Sequence, residues 1–171
     1  MPLSCSARLI VNALVPLSLV PNASYVLLDA RDSTQSAGMR VGVVEFQPGI
    51  FSLDASGSSQ GAGVISGTAT IAGPAGPQSS PAVRGTDYLS IYCTGLGAVT
   101  SSDGTPPPAD GSPASLTTLY KTAGAVTVTV GGVNVQAPPG TPVGSALPMM
   151  MTVSDPATGF SQSNTVTVVL Q

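Results

Sequence analysis

Histidine and tryptophan are absent from this chain of 171 residues, glutamate occurs once (Glu45), and charged side chains make up only 8% of it. Without histidine, the commonest general base and metal ligand is missing, and neither a Ser-His-Asp nor a Cys-His nucleophile can be assembled. Two cysteines alone fall short of a structural zinc site. The five cations (Arg8, Arg31, Arg40, Arg84 and Lys121) are scattered and the net charge is −3. No basic stripe exists to neutralise phosphates, which argues against nucleic acid as a partner. No glycine-rich loop follows a strand and opens a helix, so nucleotide binding is unsupported. Aromatic residues are 4% of the chain, so a core must be built from Val, Leu, Ile and Ala. Charge this far below the usual share of roughly 25% leaves solubility to Ser, Thr, Asn, Gln and exposed backbone.

Twenty glycines and 16 prolines are spread along the whole length. Helices tolerate this badly, because proline removes a donor and glycine costs backbone entropy. Short strands joined by turns tolerate it well. Runs rich in β-branched residues between turn signals predict strands at Arg8–Val15, Ser24–Arg31, Arg40–Phe46, Gly63–Ser66 and Asp87–Thr94. They continue at Ala125–Val130, Val133–Ala137, Leu147–Val153 and Asn164–Leu170. Leu116–Thr122 is at best one helical turn, Ala55–Pro81 is loop-rich with one or two weak strands inside, and Ser101–Ser115 is a loop. The fold class is therefore all-β.

Alternation assigns faces. Leu89, Ile91 and Cys93 share one side of their strand, while Tyr88, Ser90 and Tyr92 share the other. Val126, Val128 and Val130 alternate with threonines, as do Val166 and Val168. Gly131-Gly132 separates two such runs by two residues that both accept positive φ, which predicts a tight hairpin. Pro138-Pro139 then stops the second strand. A weak repeat joins the two ends of the chain. Val11-Asn12 aligns with Val133-Asn134, 122 residues on, and Pro16 with Pro138. Each is followed by a turn, an apolar strand (Tyr25–Leu28; Leu147–Met151), an aspartate (Asp32; Asp155) and a valine-rich strand. Related strand sets at both ends suggest tandem sandwich units, one of them incomplete.

Residues 9–28 carry no charge and follow Arg8, as a signal-peptide core or a membrane span would. Asn12, Pro16, Pro21 and Asn22 oppose a span, and the repeat favours folded β-structure over a signal peptide. Two readings stand for Cys5 and Cys93: a disulfide made in an oxidising compartment, or two small buried hydrophobes.

Several motifs appear in a fixed order: Pro48-Gly49-Ile50-Phe51, Ser80-Pro81-Ala82, Arg84-Gly85, Tyr92-Cys93-Thr94-Gly95-Leu96-Gly97, Val128-Thr129-Val130-Gly131-Gly132 and Val133-Asn134-Val135-Gln136-Ala137-Pro138. The series resembles the uncharacterised C-terminal domain of large secreted acidobacterial (Solibacter-type) proteins, and Val11-Asn12-Ala13-Leu14-Val15-Pro16 is similar to the end of the preceding domain there. The likeness covers nearly the whole chain. It implies an extracellular location and immunoglobulin-like sandwiches, and it implies no activity and no binding residues. Three departures stand out. The first half of the leading domain is missing, Cys93 replaces a usual glycine, and about one strand and one loop are absent between Gly132 and Val133.

Few residues remain for chemistry. Asp29 and Asp32 flank Arg31 at a strand end, where a polar turn is the plain reading. Asp103 and Asp110 share a loop, but calcium wants six to eight oxygens and finds few carboxylates there. Tyr88, Tyr92 and Tyr120 are candidate contact aromatics for carbohydrate or a protein partner, or simply strand packing. Met39 and Met149–Met151 suit a core or an adaptable surface. The expectation is an immunoglobulin-like antiparallel β-sandwich over residues 47–171, preceded by a partial β-unit over 1–46. It serves as a non-catalytic structural or binding module of a secreted or cell-surface bacterial protein, with no cofactor and no metal. The alternative is a self-assembling filament subunit, other copies of the chain being its partners by strand addition. An incomplete sandwich would then accept a donor strand from Pro2–Pro16, whose apolar positions are Leu9, Val11, Ala13 and Val15.

Overall fold

The computed structural model describes residues 13–134 and 142–171, and every regular element among them is a β-strand. Cys5, Leu9, Val11 and the Pro138-Pro139 stop lie outside the described residues. No helix among the described residues is long and apolar enough to cross a membrane.

The first four strands form one long ribbon. β1 (Ala23–Leu27) pairs antiparallel with β4 (Met39–Val43), and β2 (Ala30–Arg31) pairs with β3 (Thr34–Gln35) at the tip. The strand expected over Ser24–Arg31 is thus broken at Leu28-Asp29. There the Ser36 hydroxyl takes the Asp29 N–H at 3.0 Å, in place of a ladder carbonyl. Asp32 turns the tip with φ of 53°, a conformation that aspartate tolerates better than most residues. Ala13–Val15, expected to end a strand, lies in none. Pro16 follows at once and cannot donate to a ladder.

β5 (Gly49–Ile50), β6 (Gly63–Ile65), β7 (Ile71–Ala72), β8 (Ser79–Ser80), β9 (Leu89–Ile91) and β10 (Cys93–Thr94) make one layer. Its main sheet runs β8-β7-β6-β9, with β7 and β8 parallel, while β10 pairs with β5. The single strand expected over Asp87–Thr94 therefore changes partner at Tyr92. β11 (Val99–Ser101) and β12 (Tyr120–Thr122) pair across the long proline-rich loop. A strand thus replaces the helical turn expected near Tyr120. Its ladder partner, Ser101, lies 19 residues away, and a local propensity reading cannot see it.

The other layer is β13 (Ala125–Val130), β14 (Val133–Asn134), β15 (Gly144–Asp155), β16 (Gly159–Gln162) and β17 (Val166–Leu170), with β15 at its centre. The Gly131-Gly132 hairpin forms as its dipeptide predicts. Both glycines have positive φ (59° and 82°), and Val130 pairs with Val133. Pro148 is tolerated inside β15 because of where its missing N–H falls. That gap faces the Gly131 turn, whose N–H donates to the Pro148 carbonyl. On the other side, Thr167 spends its backbone groups on Ser59 and Gly61.

Two layers facing each other give the core. Val130, Met149, Met151, Val166, Val168 and Leu170 meet Ile50, Ala72 and Ala82, with Ile65, Leu89, Ile91 and Cys93 packed against them. The faces read from alternation hold: the Leu89–Ile91–Cys93 side packs inward, and Tyr88 and Tyr92 are exposed. A satellite cluster of Phe46 and Val153 forms beside Gly97 and Gly124, which flank the β11–β12 pair in sequence. A Cβ on Gly124 would come within 3.0 Å of both the Phe46 ring and Val153, so glycine lets these two side chains meet. The result is an all-β fold of several small, mainly antiparallel sheets with a sandwich-like core.

The outer edge of β17 is sealed. Thr167 and Gln60 bridge in parallel fashion, and Ala82 and Arg84 exchange backbone bonds with Val169 and Gln171. An open row of donors and acceptors would invite foreign strands, and this one is closed.

Asn164 joins the layers. Its side-chain oxygen accepts from Ile50 N–H at 2.8 Å, and its NH₂ donates to the carbonyls of Ile50 (3.0 Å) and Gly57 (2.6 Å). The side-chain amide thus acts as an extra peptide group that extends β5. Asn164→Ala would leave three part-buried backbone groups without partners. The expected cost is about 2–4 kcal/mol, read as a lower urea midpoint with unchanged slope. Asn164→Asp should rescue little, since its second oxygen would face two carbonyls.

Candidate functional site

The outward face of the first layer carries three exposed aromatics, Phe51, Tyr88 and Tyr92. The pairing Cys93↔Ile50 sets Phe51 opposite Tyr92. Their backbones are tied, Phe51 N–H donating to the Tyr92 carbonyl at 3.0 Å. Ala62 locks both, donating to Phe51 O and accepting from Tyr92 N–H. Tyr88 lies on the same face, four residues back along the chain, which is about 13 Å at strand rise. Its carbonyl is held by Ser66 N–H. Between the two tyrosines, the Ser90 hydroxyl donates to Ser66 Oγ at 3.2 Å. Tyr88, Tyr92, Phe51 and Leu53 are all more than half exposed. The outward positions Phe51, Ala62, Val64, Tyr88, Ser90 and Tyr92 carry no charge. The arrangement is a flat aromatic strip on a rigid sheet, able to stack against an uncharged flat surface.

Of the contact aromatics expected from sequence, Tyr88 and Tyr92 share this strip. Tyr120 is used elsewhere: its hydroxyl donates to the Pro106 carbonyl at 3.1 Å and closes the long loop. Phe51 was not among the aromatics expected from sequence, because only the β5–β10 register brings it beside Tyr92.

Five carboxylates accept backbone N–H bonds. Asp54 accepts from Ser56 N–H and the Ser59 hydroxyl, Asp87 from Val83 N–H, Asp103 from Thr105 N–H, Asp110 from Leu17 N–H and Asp155 from Ala157 N–H. The Ser59 hydroxyl, then Ser56, hold Asp54 far below the usual carboxylate range. The Thr105 N–H, then the Ser101 hydroxyl, pull Asp103 down in the same sense. Both groups are solvent-exposed, so the shifts describe turn geometry rather than a reactive site. Asp29 and Asp32 line a shallow cleft at the ribbon tip with Arg31, Thr34, Gln35 and Ser36. Among the described residues, no group of three or more acidic, histidine or cysteine side chains converges to hold a metal ion.

Cys93 packs against the core, and burial pushes its thiol up. Its expected partner, Cys5, lies outside the described residues. Met149 and Met151 are buried core residues, whereas Met39 is exposed on the ribbon. Of the expected donor positions, Ala13 and Val15 are exposed, and Leu9 and Val11 lie outside the described residues. Compared with known proteins, the chain matches no family model, no curated protein and no solved structure, so the likeness drawn from its motifs rests on those motifs alone.

Proposed function

We propose that this chain is a non-catalytic binding or structural module of a secreted or cell-surface bacterial protein. Residues 47–171 form its immunoglobulin-like sandwich and 1–46 a partial β-unit. The observation that carries this reading is the uncharged Tyr88–Tyr92–Phe51 strip, whose backbone is held by bonds from Ala62 and Ser66. Rigid aromatic platforms bind by stacking and lose little entropy in doing so. The wild type is expected to bind an insoluble neutral polysaccharide saturably, and Tyr88→Ala/Tyr92→Ala to weaken that binding at least about tenfold. Because both rings are exposed, unfolding free energy should change by no more than about 1 kcal/mol. Wild type that is not retained restricts the module to a structural role, and turnover of a glycoside, ester or peptide overturns the non-catalytic reading.

Strand addition between copies is the second reading. It is favoured by β1 and β4, which pair only with each other among the described residues and so leave two open edges. Light scattering should then show open-ended polymers that vanish when residues 1–16 are deleted.

A further inference from the structure

The aromatic strip contains one polar pair, and strand register fixes its place. Ile65 faces Leu89 and Val64 faces Ser90. Ser66 therefore falls opposite Tyr88, where its N–H donates to the Tyr88 carbonyl. Ile65 and Leu89 pack against the core, so Val64, Ser66, Tyr88 and Ser90 point outward. Ser66 and Ser90 are diagonal neighbours across the two strands, and their hydroxyls meet at 3.2 Å. Both serines are exposed. They lie between the two tyrosines, toward the β6 side of the line from Tyr88 to Tyr92.

A hydroxyl carries one proton and two lone pairs. The Ser90 O–H is used by Ser66 Oγ, which leaves the Ser66 O–H to donate and the Ser90 oxygen to accept. Among the described residues, neither hydroxyl has another partner. A wholly apolar surface laid over the strip would bury this donor and acceptor unmade, at a cost. Two adjacent ring hydroxyls of a sugar would satisfy both, because their oxygens stand at a similar separation and each can donate or accept. Equatorial hydroxyls project from the edge of a sugar ring while its faces stay free to stack on aromatic rings. For a glycan lying along Tyr88 and Tyr92, the serine pair falls at that edge.

We propose, resting on the reading of the strip as a platform for neutral polysaccharide, that Ser66 and Ser90 read a vicinal diol. The ligand class is a neutral glycan whose internal residues keep two adjacent ring hydroxyls free. The tyrosines stand about 13 Å apart along the strand, too far for one sugar ring to cover both. The glycan therefore stacks separate residues on Tyr88 and Tyr92 and offers the diol of the stretch between them. A 1,4-linked glucan meets this condition through its 2- and 3-hydroxyls. A 1,3-linked glucan does not, because the linkage takes the hydroxyl between positions 2 and 4. Chitin does not, because an acetamido group replaces the 2-hydroxyl.

Retention of the full chain on amorphous cellulose, on curdlan (a 1,3-linked glucan) and on chitin tests this. Cellulose is expected to be held at least about tenfold more tightly than the other two, as two net hydrogen bonds give. Ser66→Ala/Ser90→Ala should bring cellulose down to the level of the others and leave those unchanged. Tyr88→Ala/Tyr92→Ala should weaken all three. Both serines are exposed, so the urea midpoint of their variant should hold. Should the pair of changes disturb folding, Ser66→Ala alone, which removes the open donor, should still cut the preference about threefold. Equal or weaker retention on cellulose overturns the diol assignment and leaves the strip reading standing, as does a preference that survives in the serine variants. Retention on none of the three overturns the strip reading, and the diol assignment with it.

Discussion

Gly95→Ala is expected to destabilise the sandwich by more than about 4 kcal/mol, at the extreme of single substitutions. Gly95 follows β10 at φ of 74°, a region that costs an ordinary L-residue roughly 1–2 kcal/mol. Space adds a larger penalty. A Cβ there would overlap the Gln47 carbonyl oxygen and lie 2.5 Å from its carbon. Neither is the end of a flexible side chain that can swing aside. The Gln47 N–H donates to Gly95 O at 3.0 Å, so relief of the clash breaks that bond. Phe46, one residue earlier, anchors the satellite cluster and would move with it. Chemical denaturation should show a much lower midpoint, or no cooperative transition where domain stability is only about 5–15 kcal/mol. A loss under about 1 kcal/mol would mean the 46–48 segment yields freely, contrary to its packing.

Met149→Ala is expected to cost about 3–5 kcal/mol through the opposite fault, a cavity. Met149 is fully buried at the centre of β15, opposite Val130 on one side and Val166 on the other. Its methyl end lies 3.1 Å from the position a Cβ on Gly61 would take, where the β17 edge is sealed. Removing the thioether therefore empties the middle of the core, beside a backbone pinned by the Gly61–Thr167 bond. Met149→Leu, which keeps most of the volume, should cost less than about 1.5 kcal/mol. Urea unfolding of the pair separates cavity from chemistry, and equal losses for Ala and Leu would contradict the packing described.

The parts legible in the sequence were those with a local cause. β13 runs from Ala125 to Val130 as alternation predicts, and the Gly131-Gly132 turn follows from two residues that alone permit it. The inward Leu89–Ile91–Cys93 face was readable for the same reason. Several elements of two or three residues could not be placed. β7, β8 and β11 have no period of their own and exist because a partner strand lies alongside. Asn164 read as the first residue of a strand, yet its work is set by Ile50, 114 residues earlier. Of the candidate site, two tyrosines were legible and Phe51 was not, because cross-strand register is a tertiary fact. The repeat was visible as a weak alignment, but the burial of Met149 and Val166 against the exposure of Leu27 and Met39 needed the packing.

The interleaving of the two layers carries a kinetic consequence. Ile50, Ile65, Leu89 and Ile91 pack largely against residues of β13, β15 and β17, at the far end of the chain. At about 5–20 residues per second of synthesis, the first layer waits several seconds for the second to leave the ribosome. Contacts this distant also slow folding after release. Nascent chains should therefore present a greasy, half-made sheet to holding chaperones, and the sandwich should close only once β17 has emerged.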